Sequence, residues 1–380
     1  MNHPQPGFSD VRVKHNIEAL ASLVSKQPLP EKLKNYSGWG GLEKAIYTPA
    51  IYQQIKELLA DEDINSIKKT LKTAYYTPSR LVDFIYKAVQ QIGCSPKRIL
   101  EPSAGHGVFI ERMPELWRQS ASVHAVESDP VSCRLLRVLY PAVEVSATGF
   151  ESINDNQPYG LIIGNPPYGQ QTVVDPVHAD LAQFSIHHYF VAKSMRLLEA
   201  GGILAMVLPR YFMDSSKKHV RQIIADEGGS LVAAYRLPDD LFDDAKVTVD
   251  VVILRKSPSA VNWLDAVKIK QGKQQAFMNQ YFMENRSHVL GKIEFIEVYG
   301  RSEISCRREC QNIFARLNML LTQSAGLLSD YQHALETRLK KIIEEIDHLQ
   351  KEYQQLKQLA ADIADSEQKL MARCQQMLRR

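Results

Sequence analysis

Asn165, Pro166, Pro167 and Tyr168 follow directly on the apolar run 161–163 and Gly164. The run reads as a buried strand, Gly164 as the residue that lets the chain turn, and the four residues after it as its carboxyl end. Each proline holds φ near about −65° and drives the residue before it out of helix, so the tetrapeptide is stiff and extended. The Asn165 side-chain oxygen and the Pro166 carbonyl then have nearly set directions and can accept two N–H bonds. A group that needs this treatment is the exocyclic amine of a purine, whose lone pair is delocalised into the ring. Holding both N–H bonds turns the lone pair toward an electrophile, while Tyr168 stacks on the ring and fixes its plane. The plainer alternative is a proline turn with Tyr168 on its rim.

Two further stretches offer binding chemistry. Residues 98–109 read as strand, glycine turn (Gly105-His106-Gly107) and helix start, without the full Gly-x-Gly-x-x-Gly fingerprint because Ile occupies position 110. Twenty residues beyond Gly107 the strand 123–126 ends in Glu127, where an acid accepts ribose hydroxyls in nucleotide-binding α/β sheets. Earlier, Tyr76-Thr77-Pro78 opens a helix with Thr77 as its N-cap and Pro78 at its first position. The free N–H groups there suit a carboxylate.

The elements that must position these residues alternate as strand and helix from 76 to 256, which predicts a doubly wound α/β sheet. Before it, 1–75 reads as a helical N-terminal segment in which the turn 35–42 is a structural corner with a buried Trp39. Residues 169–180 read as a mobile loop beside the site. His187 and His188 on the helix after it lack further ligands and read as surface or core residues. Residues 257–325 form a small accessory region. After Gly326 the chain contains neither glycine nor proline, and apolar residues recur every seven positions from Leu328 to Met377. That is a coiled-coil seam over 326–380 that needs a partner helix, so self-association is expected, with packing back on the body as the alternative.

With 380 residues, 44% hydrophobic and 23% charged, the composition is that of a globular protein with room for more than one domain. No apolar run approaches a membrane span and the first residues do not resemble a signal peptide, so a cytoplasmic location is expected. The five cysteines are scattered without ligand spacing, so no metal is expected. A net charge of +3 leaves nucleic-acid contacts to local patches.

Taken in order, Tyr76-Thr77-Pro78, Glu101-Pro102-Ser103-Ala104-Gly105-His106-Gly107, Glu127 and Asn165-Pro166-Pro167-Tyr168 resemble the amino-directed, S-adenosylmethionine-dependent DNA methyltransferases of the gamma motif order. The resemblance covers about 76–256 and implies a Rossmann-like class I methyltransferase sheet. It also implies that Tyr76, Thr77, Pro78, Glu101, Pro102, Ser103, Ala104, Gly105 and Gly107 hold S-adenosyl-L-methionine. Glu127 with Ser128 would meet its ribose, and Asn165 its methyl end. Asn165, Pro166, Pro167 and Tyr168 would grip a flipped adenine. Phe242, in the run 241–247, stands where the family stacks an aromatic on the base's other face; the alternative is an ordinary loop aromatic. One departure is Gly149, where the family carries an Asp near the cofactor adenine; Glu151 stands two residues on. Residues 36–42, 278–282 and 289–291 are similar to segments flanking the methylase part of large methylase-helicase proteins of plasmids and phages, although no helicase motif is present.

The expectation is therefore N6-adenine methylation of DNA by base flipping, in a restriction-modification or mobile-element setting. Lys268, Lys270, Lys273, Lys292, Arg301, Arg307 and Arg308 are candidate phosphate contacts. Methylation of RNA or of a protein glutamine is one alternative. A catalytically weak DNA-binding scaffold assembled by the coiled coil is another.

Overall fold

The structure is a computed structural model that describes residues 8–71, 77–217, 219–242, 246–257 and 263–378, without the side chains of 8–10, 70, 324–337 and 378. Its first unit, Met1–Leu321, is built on a seven-stranded sheet. The strands are β1 (Arg98–Glu101), β2 (Ser122–Glu127), β3 (Glu144–Ala147), β4 (Tyr159–Gly164), β5 (Leu198–Pro209), β6 (Gly229–Arg236) and β7 (Val249–Lys256), and they lie side by side as β3-β2-β1-β4-β5-β7-β6. Strands β1 to β5 pair in parallel, and β7 runs antiparallel to both β5 and β6. This is a Rossmann-like sheet, doubly wound as expected.

The apolar runs make the strands because both faces are covered. β4 is buried along its whole length. Ile99, Leu161, Ile163, Ala205 and Val207 point to one face, against Leu81 and Ile85 of the helix Ser79–Gln91; Leu100, Ile162, Leu204 and Met206 point to the other, against Tyr189 and Met195 of the helix Ile186–Leu197. A period of two with apolar residues on both faces leaves no polar edge, hence the continuous apolar runs. The chain winds outward from β1 to β2 and β3, then returns to start β4 on β1's other side. The carboxyl ends of β1 and β4 therefore bound the crevice where such sheets take ligands.

On that crevice lies the N-terminal helical segment. Its helices Phe8–Leu23, Pro49–Leu58 and Asp61–Thr70 share an apolar cluster with the helix Pro130–Leu139 that follows β2. Two antiparallel hairpins, β8 (Ala266–Gln271) with β9 (Gln274–Asn279) and β10 (Lys292–Val298) with β11 (Arg301–Arg307), follow the sheet. The helix Ile313–Leu378 begins earlier than Gly326, because Ile313, Leu317, Leu320 and Leu321 bury their side chains in the sheet's core. In the second unit, Thr322–Arg380, the heptad residues Leu349, Leu356, Ile363 and Leu370 are 53–65% exposed. No helix among the described residues is long and apolar enough to cross a membrane.

The stretch 169–180, expected to be mobile, is pinned by Asp175. Its carboxylate accepts backbone N–H bonds from Val177 and His178, a hydroxyl bond from Tyr189 at 2.6 Å and an ammonium bond from Lys193 at 2.7 Å. Lys193 spends its other protons on the carbonyls of Phe150 and Glu151. Both charged side chains are wholly buried, so their worth lies in being paired. Lys193→Met is expected to cost about 3–5 kcal/mol of unfolding free energy in urea titration, since it strands a buried carboxylate. A loss below about 1 kcal/mol would show that the pair carries no such weight.

Candidate active site

The ends of β1, β2, β3 and β4 open into one cavity of about 560 Å³. Asn165, one residue past β4, is its hub. The Asn165 Nδ2 donates to Thr77 Oγ1 at 3.1 Å, while Tyr168 Oη donates to Asn165 Oδ1 at 2.6 Å and Ser103 Oγ to the Asn165 carbonyl at 3.1 Å. The Asn165 carboxamide is thereby turned in one orientation by two side chains, Thr77 and Tyr168, while Ser103 holds its backbone. An amide oxygen carries two lone pairs, so accepting from Tyr168 does not by itself exhaust what Oδ1 can accept. The Val207 carbonyl of β5 lies 3.1 Å from the same Tyr168 hydroxyl and fixes its height.

Around this hub the wall is acidic. Glu101, Glu127, Asp129 and Glu151 line the cavity, and no Lys or Arg does among the described residues. Glu127 braces the glycine turn: its oxygens accept the N–H groups of Gly105 at 2.7 Å and Asp129 at 2.8 Å. Gly107 closes that turn at φ +89°, and a Cβ there would meet Leu136 Cδ2 at 2.5 Å, so both conformation and space require glycine. Glu101 is buried and its Oε2 has no partner among the described residues. Burial, reinforced by the neighbouring Glu127 charge, pushes its carboxyl well above the usual carboxylate range. Burial likewise raises Glu127, against the pull of its backbone N–H bonds. His187 and His188, on the helix Ile186–Leu197 whose Ile186 and Phe190 line the cavity, are pushed down by burial to about 4 and about 3.

Of the residues expected to bind a cofactor, Thr77, Glu101, Pro102 and Ser103 line the cavity, and so do Ala104, Gly105, Glu127, Ser128 and Asn165. Pro78 and Gly107 stand behind the lining, and Tyr76 lies outside the described residues. Thr77 is not an N-cap: Pro78 holds that position for the helix Ser79–Gln91, and the Thr77 hydroxyl is taken by Asn165 instead. Pro167 lines the cavity, Pro166 is buried behind it, and Tyr168 is half-buried against the core. Gly164 has ordinary extended backbone and no close neighbour short of 3.6 Å, so no sharp turn depends on it. Phe242 does not line the cavity. It is 4% exposed within the core cluster on which Tyr168 packs, because an apolar ring gains about 2 kcal/mol by staying out of water.

Sequence reasoning missed that Tyr36 and Trp39 belong to the cavity wall. Their glycine-rich turn was legible as a corner, but nothing local says what the corner faces. Space beside Gly149 is filled by the Glu151 carboxylate, whose oxygens lie 2.2 and 2.4 Å from where a Cβ would stand.

Residues 139–229 match the Eco57I restriction-modification methylase family. The chain is 27% identical over 253 residues to "Defense against restriction protein B" of Escherichia phage P1, covering 64% of this chain and 10% of the phage protein. It is 27% identical over 189 residues to the type II methyltransferase M.CvrRI of Paramecium bursaria Chlorella virus XZ-6E, covering 48% of each. The chain thus spans under half of the length of either relative. A solved type I restriction-modification methyltransferase subunit from Streptococcus thermophilus aligns at 15% identity over 79% of this chain and 72% of its own, with a TM-score of 0.43.

The cavity fits S-adenosylmethionine by its donor set: acids with an orphaned oxygen for a ligand bearing an ammonium and a sulfonium, and no competing Lys or Arg in the wall among the described residues. A cation beside Glu101 pulls its raised pKa back down, so binding releases a proton at any pH where Glu101 is protonated in the free protein. Affinity is therefore expected to rise with pH, by up to about tenfold per unit, until Glu101 is ionised in the free protein. Glu101→Gln removes that slope. Calorimetry in buffers of different ionisation enthalpy reads the proton directly, and binding without proton release would refute the assignment.

Proposed function

We propose that this methylase domain binds S-adenosylmethionine in the acidic cavity and methylates the N6 amine of an adenine flipped out of DNA. The observation that carries the reading is the braced Asn165 carboxamide, at the carboxyl end of β4 and at the mouth of a cavity suited to a cationic nucleoside. When bound, the cofactor supplies an electrophilic sulfonium methyl. Asn165 Oδ1 and the Pro166 carbonyl accept the two N–H bonds of the target amine and turn its lone pair toward that methyl. Thr77 and Tyr168 keep the carboxamide from rotating its Nδ2 into the acceptor position. The half-exposed ring of Tyr168 supports the base, and the prolines keep the acceptors still. Transfer would exchange the cofactor's C–S bond for an N–C bond while Asn165 Oδ1 and the Pro166 carbonyl hold the amine. The methylated nitrogen then sheds its extra proton to water, because an arylammonium is acidic, so no general base is required.

Phe242 would have to leave the core to cover the other face of the base. Order along the sheet supports the placement of the cofactor: from Asn165 at β4 to Glu101 at β1, Glu127 at β2 and Glu151 beyond β3, one extended ligand passes each in turn, with neighbouring strands about 4.8 Å apart. The exposed heptad seam supports pairing of two copies through the long helix. A single apolar stripe of this length has no way to bury itself alone.

Nucleoside mass spectrometry on DNA from cells producing the protein is expected to find N6-methyladenine. Cytosine methylation, or labelled methyl appearing only in RNA or protein, would overturn the reading. Asn165→Ala is expected to lower turnover by about 10²–10³ with cofactor affinity nearly intact; lost cofactor binding with unchanged turnover per complex would contradict its role. Light scattering is expected to report a dimer for the full chain and a monomer once residues 326–380 are removed, and an unchanged mass would exclude pairing through the helix.

A further inference from the structure

Trp39 sits in a turn that the catalytic reading leaves without a task. The turn is clamped from one side. The Arg12 guanidinium donates to the carbonyls of Ser37, Gly38 and Gly40 at 3.2–3.4 Å, and Asn16 donates to Gly38 O at 2.6 Å while accepting from Ser37 N at 2.9 Å. Gly38 and Gly41 take φ of 68° and 74°, which the chain needs to double back there. So many bonds on one short turn hold the Trp39 indole in a set place, 2% exposed, packed with Val131 and Leu135 of the helix after β2.

Its indole N–H is nonetheless unspent. Nε1 is buried with no hydrogen-bond partner among the described residues, and Trp39 lines the cavity. An indole N–H can only donate, and a buried donor without an acceptor is costly enough that folds rarely keep one. The cavity explains what acceptor is missing. Its charged lining groups are all carboxylates, with no Lys or Arg among the described residues, so a ligand's anionic end must be met by neutral donors. The turn and the β1 glycine loop line the same cavity, and Arg12, which clamps the turn, is near enough to His106 of that loop to add to burial in holding its imidazole down to about 4.

We infer that the Trp39 indole N–H donates to the carboxylate at the amino-acid end of the bound cofactor, an inference that rests on the proposed reading of the cavity. The N-terminal segment is then part of the binding site and not only a cover. Glu101 meets the ammonium and Trp39 the carboxylate, which grips a zwitterion at both of its charges.

The test uses the full chain and two ligands: S-adenosylhomocysteine, which carries the carboxylate, and 5′-methylthioadenosine, which lacks the amino-acid end. Trp39→Phe keeps an aromatic ring and removes only the donor. Calorimetry is expected to show about tenfold weaker binding of S-adenosylhomocysteine by the variant and an unchanged affinity for 5′-methylthioadenosine. Equal losses for both ligands, or none for either, would overturn the contact. Should the variant fold poorly, nitrogen-proton NMR of the wild-type indoles, three in all, reads the same bond. The Trp39 resonance is expected to move downfield with S-adenosylhomocysteine alone, and a resonance that responds to neither ligand or to both alike refutes it. A wild-type protein that binds neither ligand overturns the reading of the cavity, and this contact with it.

Discussion

The Asn165 carboxamide is held by two side-chain hydrogen bonds of opposite sense, Nδ2 to Thr77 and Oδ1 from Tyr168. A free asparagine side chain rotates and presents donor and acceptor alike, which is of no use to an amine that needs only acceptors. With donor and acceptor each assigned a partner, the carboxamide at the cavity wall is held in one orientation. The rest of the first unit serves that arrangement: the sheet sets the height of β4, the helix Ser79–Gln91 brings Thr77 across, and β5 supplies the Val207 carbonyl under Tyr168.

The electrostatics follow from burial. Burial raises the carboxyl pKa of both Glu101 and Glu127, the Glu127 charge adds to the effect at Glu101, and no Lys or Arg lines the described wall. Such a cavity favours a ligand that brings its own positive charge. Elsewhere in the core Lys193 is paired with Asp175, and Arg236 with Asp214 and Asp250. Several buried polar atoms lack a hydrogen-bond partner among the described residues, and three of them, Glu101 Oε2, Trp39 Nε1 and Asp129 Oδ1, belong to residues that line one cavity, where a ligand can meet them.

The sheet was legible because its signals are local. The apolar runs at 161–163 and 203–208, the glycine turn before Gly107 and the acid at 127 each describe their own surroundings. What was not legible depends on partners far along the chain. Thr77 looks like a helix cap until its hydroxyl meets Asn165, 88 residues away. Residues 169–180 look like a loose polar loop until Asp175 finds Lys193 on the next helix. Phe242 sits in a loop by sequence and in the core by structure, since only the fold assembles the apolar cluster that takes it. The long helix was placed by its heptads, which say nothing of the turn before them that anchors Ile313 and Leu317 in the core.

Central to the account is that the carboxyl end of β4 holds an amine by its two hydrogens, facing a sulfonium. A crystal structure of the full chain with a non-reactive cofactor analogue and a DNA duplex containing its target site measures this directly. The account predicts an adenine outside the helical stack, its amine within hydrogen-bond distance of Asn165 Oδ1 and the Pro166 carbonyl and on the methyl side of the analogue. A base left stacked in the duplex, or an analogue bound away from Glu101 and Asn165, would contradict it.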